Sequence, residues 1–305
     1  WGIIPEWEPT LAATAPKEAD VPDATLVLAT EVAAIDHSTG SVYLMAIAWN
    51  LNGSDEGVDG AYDRAIERLD AMTTQLASPI APAVLGVSGQ EPPAVRERTQ
   101  RADFESSVNA AKRAITDGDA FQIVLSQRLD VATDASGVDV YRVLRTVNPS
   151  PYMYYLDLPD ERGGHYEVVG SSPETLVKAQ GRRVWTYPIA GSRPRGADSA
   201  QDHRLAAELL EDPKELSEHV MLVDLARNDL SKVCDPASVE VATLMELKRY
   251  SHIQHISSTV TGLLRPDADA LDALVATFPA GTLSGAPKPR AIQLIDDFEP
   301  AARGV

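Results

Sequence analysis

Strand-like and helix-like stretches come in blocks along this chain, and that ordering narrows the fold more than any other feature. A doubly wound parallel sheet needs a helix after nearly every strand. Blocks favour an α+β fold, with antiparallel sheets packed against helices. Residues 27–35 and 41–49 are apolar, β-branched runs joined by DHSTG, a β-hairpin pattern. Residues 57–76 carry Ala61, Ala65, Leu69, Met72 and Leu76 at helical spacing. Residues 79–93, rich in proline and glycine, read as an exposed linker. Asp103 is expected to cap a helix that runs through Ile115 and is stopped by Gly118. A strand is expected over 120–131 and a short helix over 139–147. Short strands follow at 152–158, 166–170, 175–179 and 183–188. Helices are expected at 199–210 and 213–233, strands at 238–247 and 250–264, and helices again at 267–278 and 287–298.

The charge balance excludes some functions. Lys and Arg total 27 against 45 Asp and Glu, a net charge of −18. Non-specific binding to nucleic acid or to an anionic membrane needs a basic surface, so neither is expected as a partner. The longest apolar stretch, 24–35, is interrupted by Thr25, Thr30 and Glu31 and is too short and polar to span a bilayer. The opening WGIIPEWEPT lacks a basic region and a long apolar core, so it is not a signal peptide, and without a starting Met it is expected to have lost its natural beginning. The single cysteine, Cys234, allows no intrachain disulfide, which fits a cytoplasmic location.

Five local features carry chemistry. In PKELSEHVMLVDLARNDLSKV, Pro213 suits a first helical turn. Leu216, Val220, Val223 and Leu230 are expected to share one stripe, and Glu215, Glu218, Leu222 and Leu225 its neighbour. Two carboxylates heading such a stripe can bind a hard cation. From the helix alone, a solvated acidic turn that complements the helix dipole is the favoured reading. In PAGTLSGAPKPR, Gly281 and Gly285 bracket small residues ahead of a helix starting at Pro287. Its free amides, with Lys288 and Arg290, suggest an anion site. GSSPET places Glu174 between two strands, and TYPIAGSRPRG reads as a Gly/Pro turn with Arg193 and Arg195. In RYSHIQHIS, His252 and His255 lie three apart. On a strand they face opposite sides and do not chelate one metal.

Together, DAFQIVLSQR, NPSPYMYYLDL, VVGSSPETLV, PIAGSRPRG, ELSEHVMLVDLARNDLSKVC, RYSHIQHISSTVTG and FPAGTLSGAPKPRAIQLID occur in this order. The set closely resembles the large synthase subunits (component I) of anthranilate synthases, in the chorismate-utilising enzyme family, over about residues 23–305. The resemblance implies the α+β fold of that family. It also implies Mg²⁺-dependent conversion of chorismate and ammonia to anthranilate and pyruvate, the first committed step of tryptophan biosynthesis.

By similarity, Glu218 is a direct Mg²⁺ ligand and Glu215 its neighbour at the metal. Glu174 matches the general acid that protonates the departing C4 hydroxyl, and His255 the histidine linked to pyruvate elimination. Gly281, Thr282, Gly285 and Ala286 match contacts to substrate carboxylates. Gly191 and Ser192 fall in the family's A-G-T motif, with Ser replacing Thr. Gln122 stands where water-adding members have Lys, and Ala190 where many aminodeoxychorismate synthases have a nucleophilic lysine. Both differences point to ammonia addition without a covalent adduct. Aminodeoxyisochorismate and aminodeoxychorismate synthases remain the alternatives.

The resemblance further implies a separate glutaminase (glutamine amidotransferase) subunit in a hetero-oligomer, because SKVCDP around Cys234 is no nucleophile elbow. Residues 1–100 are expected to be the remainder of an N-terminal region plus linker, and 101–305 the chorismate-binding catalytic domain, truncated before the family's second glutamate pair. A chain truncated in this way would be a non-catalytic chorismate-binding or subunit-interaction protein.

Overall fold

The computed structural model describes residues 1–11, 14–18, 21–50, 54–79, 93–250 and 252–304. It divides into two compact units, Thr25–Gln90 and a larger one of Trp1–Ala24 with Glu91–Val305. The larger unit opens with one helical turn, α1 (Ile4–Trp7). The smaller unit is the expected hairpin and helix: β1 (Glu31–Asp36) pairs antiparallel with β2 (Ser41–Ala46), followed by α2 (Val58–Ala77). Asp36 ties the hairpin turn by accepting from the backbone and hydroxyl of Ser38 at 2.8 and 2.7 Å, while Gly40 takes φ 68°. Most of the expected linker, 80–92, lies outside the described residues.

In the larger unit, β3 (Val95–Glu97) is followed by α3 (Arg101–Thr116). Gln100 occupies the cap position of α3, and Asp103 lies in the first turn, where its charge suits the helix dipole without a capping hydrogen bond. The strand expected over 120–131 is two strands, β4 (Gln122–Ile123) and β5 (Leu129–Val131). They part because β5 pairs with β3, whereas β4 pairs with a segment near residue 285. Next come α4 (Gly137–Val147), capped by Ser136, and the hairpin β6 (Tyr152–Pro159) with β7 (His165–Ser172).

The main sheet combines β8 (Lys178–Gln180), β9 (Arg183–Thr186), β10 (Ile189–Pro194), β11 (Glu240–Arg249) and β12 (Ile253–Leu263), all antiparallel. Between β10 and β11 lie α5 (Ser199–Glu211) and α6 (Pro213–Ser231). The chain closes with α7 (Ala270–Thr277), α8 (Gly281–Ser284), β13 (Gly285–Ala286) and α9 (Lys288–Phe298).

β12 is the hub. Its first half pairs with β10, its second half with β9, and its whole length with β11. The segment expected to be a Gly/Pro turn is thus strand β10. It tolerates that composition because it ends the sheet, places Pro194 last and bulges at Gly191.

Val184, Val223, Leu230, Val260, Leu264 and Ala273 form the core between this sheet, α6 and α7. On α6 the buried stripe is His219, Leu222, Val223 and Leu230. Val220 is 51% exposed, because it lies about 100° round the helix from His219. Cys234 is buried in this core, and burial pushes its thiol pKa up, away from the reactive thiolate. No helix among the described residues is long and apolar enough to cross a membrane.

Candidate active site

Helix α6 arranges the candidate residues in successive turns. Asp212 caps it, accepting through Oδ1 from the amides of Lys214 at 3.0 Å and Glu215 at 3.4 Å. Its other oxygen takes Arg193 Nη2 at 2.8 Å, and Arg193 Nη1 donates to Glu215 Oε1 at 3.3 Å. Glu215 is therefore a half-buried, paired carboxylate. Burial raises the Asp212 carboxyl, but the two amides and Arg193 outweigh it and hold its pKa below the usual carboxylate range.

The bulge in β10 brings the main chain against Glu215. Gly191 has φ 77°, and a Cβ there would lie 3.2 Å from Glu215 Oε2. Beyond the bulge, Ser192 pairs with His255 on β12. Burial lowers the His255 pKa, opposed by a hydrogen bond with the Gly191 backbone, and the ring of Tyr250 meets it edge-on at 5.9 Å. His252 is exposed, just before the strand.

Less than a turn along α6, Glu218 Oε1 accepts from Gln122 Nε2 at 3.0 Å. Gln122 is fixed by pairing with Ala286, and Gly285 at φ 130° crosses so close to the Gln122 carbonyl that a Cβ would lie 2.1 Å from it. Gln122 Oε1 is buried and has no hydrogen-bond partner among the described residues. Further along α6, Leu225 packs so tightly on Gly281 that a Cβ there would come within 2.3 Å of its Cδ2. Next to Gly281, Thr282 Oγ1 donates to Glu174 Oε2 at 2.9 Å. Burial raises the Glu174 pKa, and the Thr282 bond works against that rise. Glu174 and Thr282 border a cavity of about 50 Å³ with Leu222 and Leu225.

Among the described residues no three His, Cys, Asp or Glu side chains gather at one metal-sized point. What α6 offers is a pair of half-buried carboxylates beside the unpartnered amide oxygen of Gln122. That donor set fits part of a Mg²⁺ shell, since Mg²⁺ takes one or two carboxylates and keeps waters.

The expected anion site at the start of α9 does not form around Lys288. Lys288 Nζ is buried against Asp229 Oδ2 at 2.6 Å and the Thr277 carbonyl at 2.6 Å, because the nearest anion is the chain's own. Arg290 turns to Asp119 at 3.2 Å. The sequence reading also missed His219, fully buried with Nε2 2.6 Å from Ser258 Oγ. The signal was a histidine on the apolar stripe of α6, three residues before Leu222.

Helices packed on an antiparallel sheet make this an α+β fold, and the candidate site sets the half-buried Glu174 carboxyl beside Thr282 and two half-buried carboxylates on one helix. The chain belongs to the chorismate-binding enzymes, whose family model matches residues 4–305.

It is 48% identical, over all of its length, to anthranilate synthase component 1 of Arthrobacter globiformis, covering 58% of that protein. Over 93% of its length it is 51% identical to the same component of Mycolicibacterium smegmatis, covering 54% of that protein. The crystal structure of anthranilate synthase component I from Streptococcus pneumoniae superposes on 99% of the chain with a TM-score of 0.83 at 33% identity, covering 65% of that structure. The chain thus spans somewhat more than half the length of the curated relatives it matches.

Proposed function

We propose that the protein carrying this chain converts chorismate and ammonia to anthranilate and pyruvate, as the Mg²⁺-dependent large subunit of an anthranilate synthase. The observation that carries this reading is the Gln122 amide 3.0 Å from Glu218. A neutral amide is no base for activating water, and ammonia is a competent nucleophile without one. The names of the curated relatives favour the same chemistry.

Glu215 and Glu218 would hold Mg²⁺, which when bound supplies charge neutralisation at the substrate's ring carboxylate. Glu174, whose pKa burial raises, would give a proton to the C4 hydroxyl as water leaves. His255, whose burial favours neutral imidazole, takes up a proton in the later elimination of pyruvate. Gly191, Ser192, Gly281, Thr282, Gly285 and Ala286 line the approach of the substrate carboxylates, and Ala190 offers no nucleophile for a covalent adduct.

Residues 101–305 would carry this catalytic part, with 1–100 belonging to the N-terminal region. Buried Cys234 is no glutaminase nucleophile, which supports a separate amidotransferase subunit as ammonia donor, both in the cytoplasm. The test mixes the full-length protein with chorismate, Mg²⁺ and ammonium at alkaline pH and follows anthranilate fluorescence. Formation of anthranilate, abolished in Glu218→Gln with the fold retained, is expected. No aryl amine at all would reject the reading, and an amine retaining the pyruvyl group would replace it with aminodeoxyisochorismate synthase.

A further inference from the structure

We infer that Arg303, paired with Glu299, is a positioning residue that clamps together the two segments carrying Gln122 and Thr282. That these segments serve catalysis rests on the synthase reading proposed above.

Arg303 and Glu299 follow the end of α9, and their side chains are only 13% and 7% exposed. Arg303 Nη2 donates to Glu299 Oε1 at 2.6 Å and Nε to Oε2 at 2.9 Å, the two-pronged geometry that suits a guanidinium and a carboxylate. The ring of Trp1 covers the guanidinium, its centroid 4.5 Å from Cζ. The pair then reaches two separate stretches of main chain. Nη1 donates to the Leu283 carbonyl at 2.5 Å, and Nη2 donates also to the Val124 carbonyl. Glu299 Oε1 accepts from the Ser126 amide at 2.7 Å.

Both stretches are too short to hold themselves. β4 is two residues paired with the two of β13, and an isolated two-stranded pairing is marginal in water. α8 is a single turn, and the last carbonyls of a helix have no partner within it. Val124 lies just past β4 and Leu283 near the end of α8, so Arg303 supplies a donor to each where its own element stops.

The same two stretches lead to the candidate carboxylates. Thr282, next to Leu283, donates to Glu174, and Gln122, two residues before Val124, donates to Glu218. A guanidinium holds its donors in one rigid plane, so it fixes the spacing of the two carbonyls, which the flexible point charge of a lysine cannot do. Arg303 acts through Gln122 and Thr282, and its effect on the reaction is one of aim.

The test is Arg303→Lys in the full-length protein, which keeps the charge and loses the fork, with Glu299→Gln as a milder variant. Hydrogen exchange followed by mass spectrometry reads the clamp without activity. The bonded amides of Phe121, Val124, Ser126 and Leu283 should exchange about tenfold faster in Arg303→Lys, while β12 keeps its wild-type rate. Glu299→Gln should loosen the same two segments by a smaller factor, and it decides by the same pattern if Arg303→Lys does not fold. Loosening of one segment only, of neither, or of β12 to the same extent would overturn the inference.

A second arm reads the aim. In Arg303→Lys, kcat/KM for chorismate should fall about tenfold, since small misplacements of reacting groups are costly. A slack turn takes Thr282 away from Glu174 and so removes a bond that favours the ionised carboxyl. The alkaline limb of kcat should therefore move to higher pH, and the double variant with Thr282→Val should show the limb of Thr282→Val alone. A structural role by itself would leave that limb in place. An unmoved limb, or a double variant shifted beyond Thr282→Val, would overturn the inference. A wild-type protein that forms no anthranilate rejects the synthase reading instead, and leaves the exchange pattern to decide on the clamp.

Discussion

Replacing Lys288 with Met tests the buried pair that closes the far end of α6. Lys288 and Asp229 are 6% and 7% exposed, and the ammonium also satisfies the Thr277 carbonyl. Removing one partner of a buried pair typically costs about 3–5 kcal/mol, because the other charge stays desolvated. Asp229 keeps one companion, Lys232, at 3.1 Å, but that side chain is 47% exposed and screened by water. The residual pairing puts the expected loss at the low end, about 3 kcal/mol. Urea unfolding, followed by tryptophan fluorescence and far-UV circular dichroism, would measure it. Replacing both partners, Lys288→Met with Asp229→Leu, removes the stranded charge and should be about 2 kcal/mol less destabilised than the single variant, since apolar replacement of a buried pair is often near neutral. A single variant that loses under about 1 kcal/mol, or a double variant no better than the single one, would refute the argument that desolvation governs this site.

The remaining predictions concern the candidate site and its frame. Thr282→Val removes a hydrogen bond that favours ionised Glu174, so its pKa rises further. Glu174 must be protonated to act, so the alkaline limb of kcat should move to higher pH, and an unmoved limb would refute its role as the acid. Asp202 is held at about 2 by Arg195 and the Gly196 amide, below the ordinary 3.8, and so contributes stability that is present above pH ~4 and lost as the pH falls through ~2. Asp202→Asn should therefore flatten the acid side of a melting-temperature profile measured from pH 6 to 2.5. Gly191→Ala forces a side chain into the left-handed region at φ 77° and against Glu215, which should cost about 1–2 kcal/mol and most of the activity. Wild-type kcat in that variant would show that the bulge does not position Glu215.

Local signals carried much of the fold. Alternation around DHSTG matched β1 and β2, and the Ala61–Ala65 periodicity matched α2. They failed where pairing decided the outcome. β4 and β5 separate because they answer to β13 and β3, partners distant in sequence, and β10 is a strand because β12 lies beside it. The candidate site follows the same division. Glu215 and Glu218 on one side of a helix could be read from spacing. Arg193 on Glu215, 22 residues away, and Lys288 on Asp229, 59 residues away, could not, because nothing local distinguishes a partnered cation from a solvated one. Lys288 was misread for that reason: a lysine at a helix start looks like an anion receptor until a buried aspartate claims it.

Because α6 is clamped by Arg193 at its cap and by Lys288 near its last turn, it serves as a ruler. Glu215 and Asp229 are 14 residues apart, so a rise of 1.5 Å per residue separates them by about 21 Å. A single inserted residue between Glu218 and Leu222 would rotate one half by about 100° against the other and leave one clamp without its anion. This helix can vary by substitution, while its length is locked.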